Sequence, residues 1–139
     1  MAKGKDFKRL TNKSGKRFKI KDIDPLPDYN SHKPIFSLKH MIYQGSCCIS
    51  KCQEEKNSLI LDTILRLSQS TWVQIRGFSR NSGFEKIPRH RFKVSFPTTI
   101  TPEVPILVAR YDGDGGRMAG FRERDIYHIV LVGKNLYSH

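Results

Sequence analysis

Between Arg80 and Phe96 the chain sets Arg80, Lys86, Arg89, His90, Arg91 and Lys93 against the single acid Glu85, and interleaves them with Phe84, Phe92 and Phe96. Cations for phosphates alternate there with rings for bases, a mixture that suits single-stranded RNA. The plainer reading turns the rings into the core and leaves the charges on a solvated strand face. Arg110, Arg117, Arg122 and Arg124 follow, then His128, Tyr137 and His139. A metal-free ribonuclease needs a base for the 2′-hydroxyl, an acid for the leaving 5′-oxygen and cations for the charged phosphorane. Arg, Lys, His, Tyr and Glu between them fill those roles, so neither metal nor cofactor is required.

Other groupings carry less. Cys47, Cys48 and Cys52 with His40 bring zinc to mind, but adjacent cysteines without a second Cys-x-x-Cys do not fit structural-zinc spacing. The run Asp112-Gly113-Asp114-Gly115-Gly116 is too short for a calcium loop and lacks the lysine and helix of a phosphate loop, which leaves a flexible hairpin turn. His128, inside an apolar run, reads as a packed or hydrogen-bonded histidine. Glu85 reads as a sheet-surface ion-pair partner.

Elements must position these groups. Ile35–Tyr43, bounded by Pro34 and Gly45, is rich in strand formers and predicts a first strand. A helix follows from about Ser50 or Ser58 to Ile75, with Leu61, Ile64, Leu65, Ser68, Trp72 and Ile75 as its core face. Ser50 and Gln53 resemble a capping box, and Gly77 stands where a left-handed terminator is expected. The run Ser68-Gln69-Ser70-Thr71 lowers helix propensity and offers a break. Strands are expected at Phe84–Ile87, Ile106–Tyr111, Arg117–Phe121 and Ile126–Val132, with Pro97, Pro102 and Pro105 making the connection before the second of these irregular. The sum is an α+β domain over 31–139: an antiparallel sheet of about four strands, covered on one face by a main helix.

The 139 residues carry a net charge of +12, and an excess of this size attracts polyanions by counterion release. Residues 1–21 hold nine Lys and Arg against Asp6 alone. So much like charge with so few apolar residues predicts a disordered basic arm, and Asp22–Asp28 with Pro25 and Pro27 an extended linker, together spanning 1–30. The arm either grips nucleic acid or only solubilises. No run approaches the length of a membrane span, no secretory leader is present, and three cysteines suit reduced thiols, so the expectation is a cytoplasmic protein without a membrane partner.

The chain resembles the RelE/YoeB/HigB-like toxin ribonucleases of bacterial toxin–antitoxin systems. The resemblance rests on the Trp72-bearing helix, Gly83-Phe84-Glu85-Lys86-Ile87, Gly116-Arg117-Met118-Ala119-Gly120-Phe121-Arg122 and the ending Leu136-Tyr137-Ser138-His139, over residues 35–139. It implies a metal-independent endoribonuclease that cleaves mRNA, with the ribosome and an acidic antitoxin protein as further partners. By position, Arg117 matches the strand arginine on the reacting phosphate and Lys86 or Arg89 the basic residue of the preceding strand. Tyr137 and His139 match a terminal acid–base pair, and Gly133 is then needed as the hinge that turns the end back toward Arg117. Arg80, Arg89, His90, Arg91, Lys93, Arg110 and Arg122 are expected to bind the RNA. The connection at 97–105 and the basic arm depart from the family pattern. Two other readings use the same basic surface: a non-catalytic RNA- or ribosome-binding module, and a subunit that docks on an acidic protein.

Overall fold

The computed structural model describes residues 28–42 and 54–138. The basic arm, most of the linker, the three cysteines, the Ser50–Gln53 pair and His139 lie outside the described residues. Strand β1 spans Ile35–Ser37, helix α1 Glu54–Leu67, helix α2 Trp72–Arg76, and strands β2 to β5 span Phe84–Lys86, Leu107–Arg110, Gly116–Glu123 and Ile126–Lys134. Short 3-10 turns occupy Tyr29–Ser31 and Arg89–Arg91. The fold is α+β, and no helix among the described residues is long and apolar enough to cross a membrane.

Among the described residues the sheet has five strands in the order β1-β5-β4-β3-β2. The meander β2 to β5 is antiparallel as expected, but β1 lies parallel to β5, with Ile35 opposite Ile126 and Ser37 opposite His128. The sheet is therefore mixed. A parallel pair needs a crossover connection, and here everything from α1 to β4 supplies it. Local residue patterns locate a strand without naming its neighbour, so the sequence predicts the strand at β1 but not its parallel pairing with β5.

An interior position between β1 and β4 makes β5 a nearly continuous apolar run, buried from Tyr127 to Gly133. A strand covered on both faces needs no polar alternation. Tyr127, Ile129 and Val132 face α1 and α2, where Ile60, Leu67, Trp72, Ile75 and Met118 join them. Val130 and Leu131 face the other way, into a second cluster with Ile87, Ile100, Ile106, Leu136 and Tyr137. The sheet is thus covered on both faces, not one. The proline-bearing connection, which carries no regular pattern, forms the second layer.

The helix breaks where its propensity drops. Thr71 caps α2 through a reciprocal box: its hydroxyl accepts from Gln74 N at 3.3 Å, and Gln74 Oε1 accepts from Thr71 N at 2.8 Å. Gly77 ends α2 in the right-handed region, φ −83°, not the left-handed one. Trp72 and Ile75 are buried as expected, whereas Leu61 and Leu65 are 65% and 61% exposed. The core stripe of α1 is Ile60, Thr63 and Leu67, one position away from the expected one. Thr63 is accommodated because its hydroxyl donates to Leu59 O at 2.9 Å within the helix.

A bulge adjusts the β4–β5 pairing. Ala119 lies opposite Leu131 and Gly120 opposite Ile129, so Val130 is the extra residue and turns to the same side as Leu131. At this point the β5 backbone approaches so closely that a Cβ on Gly120 would collide with the His128 carbonyl. Only glycine fits there.

Candidate nucleic-acid interface

Alternation along β2 and β4 sends Phe84, Lys86 and Arg122 to the helix-covered side of the sheet. Helix α2 stands over them and brings Trp72, Ile75 and Arg76. Together with Leu107 they line a cleft of about 410 Å³, with an apolar floor and a rim of Arg76, Lys86 and Arg122. Trp72 is fixed by its indole N–H, which donates to Asp125 O at 3.1 Å, and by its backbone N–H to His32 O at 3.0 Å. Its ring stacks with Phe84 at 5.4 Å. The Arg122 guanidinium lies over it, 4.2 Å from the ring centre.

Arg122 is further anchored by Nε, which donates to Arg124 O at 2.6 Å, leaving both terminal nitrogens without a partner among the described residues. Burial and the neighbouring Arg76 push its pKa down, against Asp125 and Asp28. A guanidinium nevertheless stays charged at neutral pH. None of the three rim cations has an ion-pair partner among the described residues, although Lys56, Arg80, Arg110 and Lys134 all do. Clustered like charges repel one another. An anion entering the cleft would relieve that repulsion, and the forked donors of Arg122 suit a phosphate.

The other candidate residues are dispersed. Arg117 precedes Met118 and so points to the opposite face from Lys86; its Nη1 donates to Gly116 O at 2.9 Å and Asp112 O at 3.4 Å. Arg110 binds Asn81 and lies 3.6 Å from Glu85, which also meets Arg80 at 4.0 Å, so Glu85 is the sheet-surface ion-pair partner expected of it. Arg89 clamps the proline-bearing connection through Ile100 O, Thr101 O and Val104 O at 2.8, 2.8 and 3.3 Å. Its cation also lies over the Phe96 ring. His90, Arg91 and Lys93 are exposed on the segment that covers the second sheet face.

Tyr137 is buried in that second cluster, 5.2 Å from Phe92, with which it forms an isolated bridge. The chain leaves β5 with Gly133 at φ 151° and Asn135 at φ 56°, and Ser138 N then reaches Arg91 O at 3.0 Å. The C-terminal end therefore meets the 91–93 segment. Lys86, Arg117 and Tyr137 do not form one site. Phe84, Phe92 and Phe96 all pack against the two cores, as the plainer reading of their rings holds.

A second polar group lies at the β1–β5 edge, on the face away from the helices. His128 is 4% exposed, its Nε2 is 3.0 Å from Glu123 Oε1, and its buried Nδ1 has no hydrogen-bond partner among the described residues. The half-buried His40 ring meets it edge to face at 4.7 Å, and Phe121 stacks on it at 4.8 Å. Burial, His128 and Lys39 lower the His40 pKa, against the pull of Glu123, and the bond to His128 holds the Glu123 carboxyl low.

Sequence patterns did not single out Arg76, because nothing local distinguishes it from any exposed helix-end arginine. The pairing of Trp72 with Arg122 spans 50 residues and follows from the register of β4, which a linear pattern does not contain. The chain matches no family model, no curated protein and no solved structure.

Proposed function

We propose that the protein binds RNA in single-stranded form and seats one backbone phosphate between Arg76, Lys86 and Arg122. One observation carries the reading: three cations that form no ion pair among the described residues converge on a cleft whose floor is the Phe84–Trp72 pair. The net charge of +12 adds long-range attraction for any polyanion. Single strands are favoured because the cleft is partly apolar, and an unstacked base can follow its phosphate onto the Arg122 guanidinium. Trp72 is the chain's one tryptophan and lies beneath that cation, so it reports on occupancy. Titrating an eight-nucleotide RNA should change its emission saturably, with an affinity that falls as salt rises. Unchanged emission together with unchanged RNA anisotropy would reject the reading.

Metal-independent cleavage of RNA, the toxin-like activity, is the second reading. What favours it is the Glu123–His128–His40 group: a carboxylate fixes one imidazole, and a second with a lowered pKa lies against it, beside Lys39. A neutral His40 is a suitable base at physiological pH. RNA incubated in EDTA should then be cut by the wild type and left whole by His40→Ala. Intact RNA in both, with ribosome-containing extract included, leaves the binding reading alone.

A further inference from the structure

Beyond the phosphate cleft, Arg122 also borders a second hollow of about 390 Å³, lined by Asp28, Tyr29, Asn30, Arg122 and Arg124. The two hollows share that one guanidinium and so form neighbouring subsites on one surface. Their electrostatics differ. The first is lined by the cations Arg76, Lys86 and Arg122 with no carboxylate among its described lining residues, whereas the second sets the Asp28 carboxylate beside Arg122 and Arg124. An occupant that continues a nucleotide chain from the first can therefore present hydrogen-bond donors to Asp28 and an acceptor to the two arginines.

We propose that this second hollow reads a base, and that the base it selects is guanine; the proposal rests on the RNA-binding reading above. The chemistry follows from the groups available. Asp28 caps the Tyr29–Ser31 turn with Oδ1, which accepts from Asn30 N at 3.1 Å, and Oδ2 takes no hydrogen bond among the described residues. An ionised carboxylate is a pure acceptor with about four lone-pair sites, so it has capacity left for two more donors. On its pairing edge guanine places two adjacent donors, N1–H and the 2-amino group, beside the O6 acceptor. Uracil flanks its single N–H with two carbonyls that a carboxylate would repel, and adenine and cytosine each set one amino group beside a bare ring nitrogen. The Asn30 side-chain amide can donate to O6 from the same wall. Tyr29, half-buried and braced edge to face by His32 at 5.5 Å, offers a ring against which a base can stack.

The test uses the full chain and four RNAs, each an octamer of uridine with position 5 changed to G, A, C or left as U, plus a fifth with inosine there. Binding is read by anisotropy at fixed salt. The G octamer should bind roughly tenfold more tightly than the U octamer, in line with a good bidentate contact. Inosine, which keeps N1–H but lacks the 2-amino group, should fall between them. Asp28→Asn keeps an equally good capping side chain, so it should fold normally, lose the preference for G and bind the U octamer at least as tightly as the wild type. Arg122→Ala should weaken all five alike. Equal affinities for all five RNAs would overturn the guanine subsite while leaving RNA binding in place, as would a preference for G that survives Asp28→Asn. Failure of every octamer to bind would overturn the RNA reading itself, and this proposal with it.

Discussion

The guanidinium carbon of Arg122 lies 4.2 Å from the centre of the Trp72 ring, so one residue of β4 and the first residue of α2 form a single charged surface. Trp72 is 5% exposed and offers no open ring of its own. What it presents to solvent is the cation it holds. Arg122→Ala should therefore change Trp72 emission in the free protein and cost about 1 kcal/mol, the scale of a partly desolvated cation–π contact. Trp72→Ala removes a buried indole and its hydrogen bond to Asp125 and should cost about 3–5 kcal/mol. Chemical denaturation measures both, and a near-neutral Trp72→Ala would contradict the packing described.

Helix α1 makes a sharper test, because two leucine stripes compete on it. Leu61→Ala and Leu65→Ala, on the exposed stripe, should each change stability by less than about 0.5 kcal/mol. Leu67→Ala, on the buried stripe, should cost about 2–5 kcal/mol. The reverse order would place the other stripe in the core.

Those two stripes also mark where the sequence becomes ambiguous. Leu59, Ile60 and Leu61 are consecutive, so apolar periodicity alone fits a face through Leu61 and Leu65 as well as one through Ile60 and Leu67. The true face includes Thr63, whose internally bonded hydroxyl conceals it from a search for apolar residues. By contrast β5 is legible as a strand, since the run Ile129-Val130-Leu131-Val132, rich in β-branched residues, favours one, although its cover on both faces is not. The candidate site was legible only in fragments. Lys86 and Arg122 were among the residues named, but Arg89 and Arg117 turn their guanidiniums to backbone carbonyls, and such bonds depend on where a loop folds back. Arg76 joins the cleft only because Thr71 starts a new helix at Trp72.

Gly120 has no tolerance for a side chain. Gly120→Ala drives a methyl group into the His128 carbonyl, which belongs to the interior strand β5 and cannot move independently. We expect a loss of about 3 kcal/mol or more. Gly113→Ala, where a Cβ meets nothing, is the control and should leave stability nearly unchanged. Equal urea midpoints for the two variants would exclude the bulge geometry.

Acid should weaken the fold in two stages. His40 is held below its ordinary value of 6.5, so folding favours the neutral ring; that contribution is complete above about pH 6.5 and fades as pH falls through the lower folded value. Burial works to raise the Asp112 carboxyl, but Lys56 at 2.7 Å and the backbone N–H groups of Gly116 and Asp114 hold it below its ordinary 3.8. The stability it supplies is present above about pH 4 and is lost below that. Urea midpoints should fall first as pH drops below about 6.5, and again below about pH 4. His40→Ala should remove the first stage only; if the first stage persists in that variant, His40 is not its source.

RNA binding by the cleft is most directly tested by moving the loss of charge. Arg76→Ala, Lys86→Ala and Arg122→Ala combined should weaken binding of an eight-nucleotide RNA and reduce the slope of log affinity against log salt by about 0.7, the loss of one phosphate contact with a single strand. Arg91→Ala with Lys93→Ala removes exposed cations from the other covering layer and should alter both quantities far less. A triple variant that binds like the wild type, or a double variant that loses as much, would contradict the cleft as the binding site.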